Sequence, residues 1–337
     1  MVCAPCSKTP HGAGESRGGA TVLAVGAAVG RRWEGGIRLG VLFEVILPIF
    51  LVAGAGYLLG RLSRLDATLL TRVVLYLLGP ALIFRSLYAS TVAGEDVLRI
   101  AGFVVILQVA LFAVSRGLGR ALNWEDDTRA AGSLVMTFAN CGTYGLPVLL
   151  FAYGEAGFTL GIVYMLTSSL LQATLGVGIG AWHKGARIGA WLGQAARVPW
   201  LYAFLLALLV RAIGWDLPSG VYRGIDLLAS AAIPVQLIVL GIQLARVPLR
   251  WVAREAVWLT GVKLVAPPLV AWGLTALLGA DGLLRSVLIV EASMPSAINS
   301  LILATHFNRR PQLAATVVFL TTVISLGSLT VILSVLN

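Results

Sequence analysis

Charge is what this chain has least of. Only 12% of its 337 residues are Asp, Glu, Lys or Arg, against 58% hydrophobic ones, a balance that no soluble domain of this length could hide in one core. Histidine is almost missing too. His11, His183 and His306 are the whole set, none lies in the middle of an apolar run, and no H-E-x-x-H occurs, so zinc-protease chemistry has no residues to use. No pair of aspartates stands in mid-run and no G-x-x-x-x-G-K-[ST] loop is present, which argues against an intramembrane enzyme and against ATP-driven work by this polypeptide alone. The three cysteines, Cys3, Cys6 and Cys141, offer no disulfide framework, and the C-x-x-C at Cys3 and Cys6 has no second ligand pair for a structural metal.

Long apolar runs are what the chain does have. Ten of them, at 41–60, 68–90, 97–119, 130–152, 157–181, 198–214, 220–245, 254–278, 284–305 and 311–336, are of a length to cross about 30 Å of hydrocarbon as helices. The expected fold class is therefore all-α and polytopic, in contact with a lipid bilayer. The first forty residues are Gly-rich, and their one apolar stretch, "ATVLAVGAAVG", is too short to cross. Residues 1–40 read as a disordered tail, and translation starting near Val41 would still supply a complete first helix.

The net charge of +10 does not point to nucleic acid, because the basic residues are spread through short connections rather than gathered with aromatics on one face. Odd-numbered connections hold Arg61, Arg64, Arg72, Arg116, Arg120, Arg129, Lys184, Arg187, Arg197, Arg246, Arg250, Arg254, Arg309 and Arg310. Even-numbered ones hold only Arg85, Arg99, Arg211, Arg223 and Arg285. The excess of positive charge marks the cytoplasmic side, which predicts a multi-pass protein of the cell (inner) membrane with both termini non-cytoplasmic.

Sliding the chain against itself by 154 residues superposes the first five runs (41–181) on the last five (198–337), with 182–197 as a short cytoplasmic loop between them. Pro80 then falls on Pro234, and "NCGTYGLP" at 140–147 falls on "MPSAINSL" at 294–301. An odd number of spans per copy makes the copies inverted, with broken helices four and nine crossing. Single prolines such as Pro48, Pro80, Pro199 and Pro234 kink many membrane helices without a ligand. At 140–147 the breakers Gly142, Gly145 and Pro147 come with Asn140, Cys141, Thr143 and Tyr144, and the ninth span answers with Ser293, Ser296, Asn299 and Ser300. Backbone groups freed by such breaks must face protein, water or ligand, and helix N-termini pointing at a crossing suit an anion. Cys141 reads as a small packing residue.

"NCGTYGLPVLLFAYGEAGF" and "EASMPSAINSLILATHF" resemble the two crossing-helix motifs of the auxin efflux carrier family. "VILPIFLVAGAGYLLGRL", "LLGPALIFRSL", "IDLLASAAIPVQLIVLG" and "VKLVAPPLVAW" look like its first, second, seventh and eighth helices. The resemblance implies ten helices divided into a scaffold part and a transport part, with substrate beside the crossing. By matching position it carries over Asn140, Gly142, Gly145 and Pro147 from one motif and Met294, Pro295 and Asn299 from the other; Thr143, Tyr144 and Ser296 join them as candidate substrate-binding residues. It implies organic anions as cargo: auxin in plants, and malonate, malate or related carboxylates in bacterial members. The short 182–197 connection departs from the long hydrophilic loop of the plant carriers and favours a compact bacterial-type carrier.

Two ionisable side chains fall deep within runs. Glu291, one turn before the Met294–Pro295 break, is placed to take up a coupling proton or help hold a sodium ion, and the more distant sodium and bile acid symporters also place an acid before this break. Lys263 could snorkel to the cytoplasmic face, or meet Glu291 or a substrate carboxylate. Asp226 and Glu44 read as interfacial. No cofactor is expected beyond such a coupling ion. A secondary carrier of small organic anions working by alternating access leads, with a sensor or channel of the same fold as the alternative. Small residues in the spans would also permit a homodimer.

Overall fold

The computed structural model describes residues 39–63, 67–89, 94–181, 199–247 and 253–336. The 1–38 segment and the 182–198 connection lie outside the described residues, and with them the expected tail and cytoplasmic loop. Leu39 and Gly40 already belong to the first helix.

Eleven helical segments carry the description: α1 (Leu42–Leu62), α2 (Ala67–Tyr88), α3 (Gly94–Ala121), α4 (Asp126–Thr137), α5 (Cys141–Ala181), α6 (Pro199–Ala212), α7 (Ser219–Ala245), α8 (Arg254–Leu277), α9 (Gly282–Ala292), α10 (Ile298–His306) and α11 (Pro311–Leu336). Seven of these, α1, α2, α3, α5, α7, α8 and α11, are long and apolar enough to cross a membrane. The fourth and ninth expected runs are each divided, by Phe138–Asn140 and by Ser293–Ala297. The fourth and fifth runs share α5, which is interrupted at Gly154, where φ is 64° and ψ is −162°. Only glycine takes up that backbone readily. Large apolar side chains such as Leu69, Leu227 and Leu269 stand exposed, as residues facing lipid would.

The prolines explain much of the local geometry. Pro48, Pro80 and Pro147 each stand two residues after a π-helical turn, at Leu42–Ile46, Val74–Leu78 and Cys141–Gly145. A proline offers no N–H to the carbonyl four residues earlier and its ring clashes there, so the preceding turn widens. The amides just before the prolines reach back five residues, from Leu47 to Leu42 O, Gly79 to Val74 O and Leu146 to Cys141 O. At Pro80 this leaves Leu75 O without a helical amide, and Trp200 Nε1 donates to it at 2.9 Å. Pro234, Pro267 and Pro268 lie within continuous helices instead.

Two groups of helices pack separately. In one, α7 lies against α1 and α2, and α6 against α2. The α1–α7 seam is backbone on backbone: a Cβ on Gly241 would collide with Ala53 O and Tyr57 N, and one on Gly56 with Ile238 O. Such close approach is how small residues bind membrane helices together. In the other group, α3, α4, α5, α8, α9, α10 and α11 pack on one another. One end of this group is tied by Arg309, which pairs with Asp127 and donates to Gly180 O, and by Arg310, which pairs with Glu255 at 3.0 Å and reaches Thr128 at 2.7 Å.

Candidate binding site at the paired helix breaks

The two breaks meet and run antiparallel. Asn140 N donates to Pro295 O at 2.8 Å and Ala297 N to Phe138 O at 3.0 Å, a two-bond bridge centred on Ala139 and Ser296. The bridge partners are 157 positions apart, as are the helix starts Cys141 and Ile298, whereas the preceding helices end 155 apart, at Thr137 and Ala292. The sequence offset of 154 is thus three residues short at the crossing. Two of the three come from the second break, which is five residues long against three in the first, and the third is already present where the preceding helices end.

Many of the freed backbone groups are satisfied inside the protein rather than left for a ligand. The last turn of α4 presents carbonyls beyond the reach of its own helical amides, apart from Leu134 O, which takes a long bond from Phe138 N at 3.4 Å. Ser300 Oγ donates to Leu134 O at 3.0 Å, Ser296 Oγ to Val135 O at 2.8 Å and Lys263 Nζ to Met136 O at 3.1 Å. Ser296 N in turn donates to Thr321 Oγ1 at 3.2 Å. Lys263 is 1% exposed, so it does not snorkel, and it forms no ion pair with Glu291. The apolar packing of α8 against α4 leaves it no route to water; the helix end supplies its acceptor instead.

Glu291 is fully buried, and neither carboxyl oxygen has a hydrogen-bond partner among the described residues. Gly145 and Gly161 make the room for it: a Cβ on Gly145 would strike the carboxyl group, and one on Gly161 would come within 3.2 Å of Oε1. Among the described residues no group of three His, Cys, Asp or Glu side chains converges on a common point.

On the other side of the bridge lies a cavity of about 140 Å³, between the two helix groups. Asn140, Cys141, Gly142, Thr143 and Asn299 line it from the breaks, with Ser168, Ser169 and Gln172 from α5; Thr71, Trp200, Gln236 and Gln243 line it from the opposite group. Asn299 Nδ2 donates to Gln172 Oε1 at 3.2 Å, while the buried Asn140 Nδ2, Gln172 Nε2 and Gln236 Oε1 have no partner among the described residues. No charged side chain lines this cavity among the described residues. Polarity comes from carboxamides, hydroxyls and the starts of α5 and α10.

Of the ten candidate binding residues, Asn140, Gly142, Thr143 and Asn299 reach the cavity. Tyr144 turns the other way, its ring edge-on to Phe50 at 5.9 Å and its hydroxyl 3.2 Å from Ser325 Oγ. Gly145 backs onto Glu291, Pro147 opens the regular part of α5, and Met294 is fully buried in the core. Pro295 and Ser296 are taken up by the bridge itself. Gln172 and Gln236 were missed. Their signal was available: carboxamides in mid-run are rare enough to stand out, and Gln172 opens a further π-turn, Gln172–Gly176, with no proline to cause it.

The cavity continues toward one end of the molecule. A second cavity, of about 580 Å³, shares Thr71, Gln243 and Ile298 with it and is walled by Arg72, Arg246 and Gln312. At the opposite end Arg85 bridges Glu155 at 3.1 Å and Asp226 at 3.2 Å across a separate cavity of about 570 Å³.

A helical membrane protein with two broken helices meeting at a small polar cavity is built as a transport protein is built. The comparison with known proteins says the same: the family described as membrane transport protein matches residues 41–182 and 189–333. The chain belongs to this family, that of the auxin efflux carriers. It is 32% identical over 299 residues to an "Uncharacterized transporter" of Methanothermobacter thermautotrophicus, covering 85% of this chain and 95% of the relative. A Methanocaldococcus jannaschii protein, "Uncharacterized transporter MJ1031", is 28% identical over 84% of this chain and 95% of its own length. A Rhizobium meliloti protein named "Putative malonate transporter" is 25% identical over 85% of this chain and 93% of its own. The family is one of transporters, and the chain is a multi-pass membrane protein.

Proposed function

We propose that the chain is a secondary carrier of small organic anions, mono- or dicarboxylates, that alternates access at the paired breaks. The observation that carries this reading is the 140 Å³ cavity, lined by the carboxamides of Asn140, Gln172 and Asn299, by Thr143 and Ser168, and by the starts of α5 and α10, with no charged side chain among the described residues. Donors and positive helix ends without a fixed cation suit a guest that brings negative charge. The volume has room for several water molecules or for a carboxylate of a few carbons. The name of the Rhizobium meliloti relative supports the same class.

The reading includes ten crossings as two inverted five-helix repeats, 41–181 and 198–337, joined by the 182–197 loop, in the cell (inner) membrane with both termini non-cytoplasmic. The end-to-end partners support it: Arg85, Glu155 and Asp226 adjoin even-numbered connections, and Arg309, Arg310, Asp127 and Glu255 adjoin odd-numbered ones. The group of α1, α2, α6 and α7 is the scaffold and the other group moves against it. Since the cavity continues toward Arg72 and Arg246, this state faces the cytoplasm. Glu291 is the coupling group. A carboxylate enclosed with no partner would be an uncompensated buried charge, so it holds a proton here and releases it where the cycle exposes it.

Counterflow in proteoliposomes tests the reading. Labelled malonate, and a panel of two- to four-carbon carboxylates, are expected to exchange against unlabelled anion inside, and exchange is expected to be lost in Glu291→Gln only when a pH gradient is the driving force. Flux without counterflow would identify a channel and overturn the carrier.

A further inference from the structure

The end of a broken half-helix facing a crossing is a place for a cation: its carbonyls have lost their amides and the helix dipole is negative there. In this protein that place is already filled. Leu134 O and Val135 O, the carbonyls next to it, accept the hydroxyls of Ser300 and Ser296, and Met136 O accepts Lys263 Nζ at 3.1 Å. Lys263 comes from the middle of α8, has 1% of its surface exposed and forms no ion pair among the described residues. Its amine is directed at the end of α4, where Met136 O is its one hydrogen-bond acceptor among the described residues. A lysine placed there solely to fill space would be an expensive choice over leucine or methionine.

We infer that Lys263 is a resident cation, holding by covalent attachment the position at the α4 terminus that a dissolved monovalent cation would otherwise fill, and that substrate exchange is consequently independent of sodium. Lys263 is a positioning residue: it touches neither cavity nor substrate, and it acts by fixing the α4 end from which Phe138, Ala139 and Asn140 enter the bridge. The inference rests on the carrier reading only for its consequence in transport.

The test uses purified full-length carrier, with thermal unfolding measured in detergent and carboxylate counterflow in liposomes, each in N-methylglucamine, sodium and methylammonium chloride at one ionic strength. Wild type is expected to behave alike in all three. Lys263→Ala is expected to unfold earlier and to exchange about tenfold more slowly in N-methylglucamine, in line with a charge lost from a helix terminus, and to recover in methylammonium or sodium, which enter the space left. A wild type that needs sodium, a Lys263→Ala protein indistinguishable from wild type, or a loss that neither small cation repairs would overturn the inference. If Lys263→Ala fails to fold, Lys263→Arg and Lys263→Gln decide: Arg is expected to retain function and Gln to lose it, and equal behaviour of the two overturns the role of charge. Should wild type exchange no carboxylate, the carrier reading fails, while the unfolding temperatures still report on Lys263.

Discussion

Arg85 joins the two helix groups at the end opposite the open cavity, and cutting that link should change how often that end opens. Its guanidinium reaches Asp226, on α7 of its own group, and Glu155, on α5 of the other group. Only the Arg85–Glu155 contact can break when the groups separate. Glu155 is 63% exposed, so its attraction is discounted for water and falls in the range of about 0.2–1 kcal/mol measured for exposed pairs. Removing it multiplies the population of the state open at that end by roughly 1.4 to 5. Cys141 lines the central cavity and serves as the reporter, with Cys3 and Cys6 changed to serine. Labelling by an impermeant maleimide from the Glu155 side is expected to quicken by that factor in Glu155→Gln and Arg85→Gln, and to stay unchanged in Asp226→Asn. Salt at 0.5 M, an arbitrary high value with a screening length of about 4 Å, is expected to mimic Glu155→Gln in wild type. Equal acceleration in Asp226→Asn, or none in any variant, would refute the assignment of a link between groups.

Two other predictions follow from side-chain placement. Asn140→Ala removes a carboxamide from the cavity lining and is expected to weaken carboxylate-induced thermal stabilisation by about tenfold in apparent Kd, the scale of one hydrogen bond to a charged group, whereas Tyr144→Phe, which faces Ser325, is expected to leave it within twofold. Gly241→Ala forces α1 and α7 apart and is expected to lower stability by about 1–3 kcal/mol in detergent unfolding, while Gly54→Ala on α1, with nothing near its Cβ, is expected to be neutral or stabilising.

The membrane class, the helix intervals and the two breaks were legible in the sequence because each is written in composition: apolar length, Gly and Pro. The pairing of the breaks was legible in outline only. A fixed offset cannot register that Ser293–Ala297 is two residues longer than Phe138–Asn140, and that difference, added to the one residue already gained before the breaks, makes Ala297, not Met294, the counterpart of Asn140 in the symmetry of the bridge. Side-chain direction was least legible. Asn140, Thr143 and Tyr144 look equivalent as a polar cluster, yet a helical turn sends Tyr144 to Ser325 and the others to the cavity. The same limit hid the partner of Lys263. Depth along α8 follows from counting residues, but its acceptor on Met136 depends on how α8 packs against α4, which no local pattern encodes.

Pro147 connects local backbone chemistry to the cavity most directly. Without an N–H at 147, Leu146 N bonds Cys141 O and the turn Cys141–Gly145 carries one residue more than an α-turn. That extra residue sets the rotation of Asn140–Thr143 about the axis of α5. Pro147→Ala restores a donor four residues after Thr143, and an α-turn becomes available at no steric cost. Tightening the turn rotates everything before it by about 100° relative to the rest of α5, which takes Asn140 and Thr143 off the cavity wall. The protein is expected to unfold no earlier than wild type, since proline in a helix interior is itself destabilising. Carboxylate binding, read as ligand-induced thermal shift, is expected to disappear. Pro48→Ala, which relaxes the corresponding turn in α1 away from the cavity, is expected to keep that shift. If Pro147→Ala bound and exchanged carboxylates as wild type does, the widened turn would have no part in shaping the site, and the donors proposed for the anion would have to be sought elsewhere along the cavity.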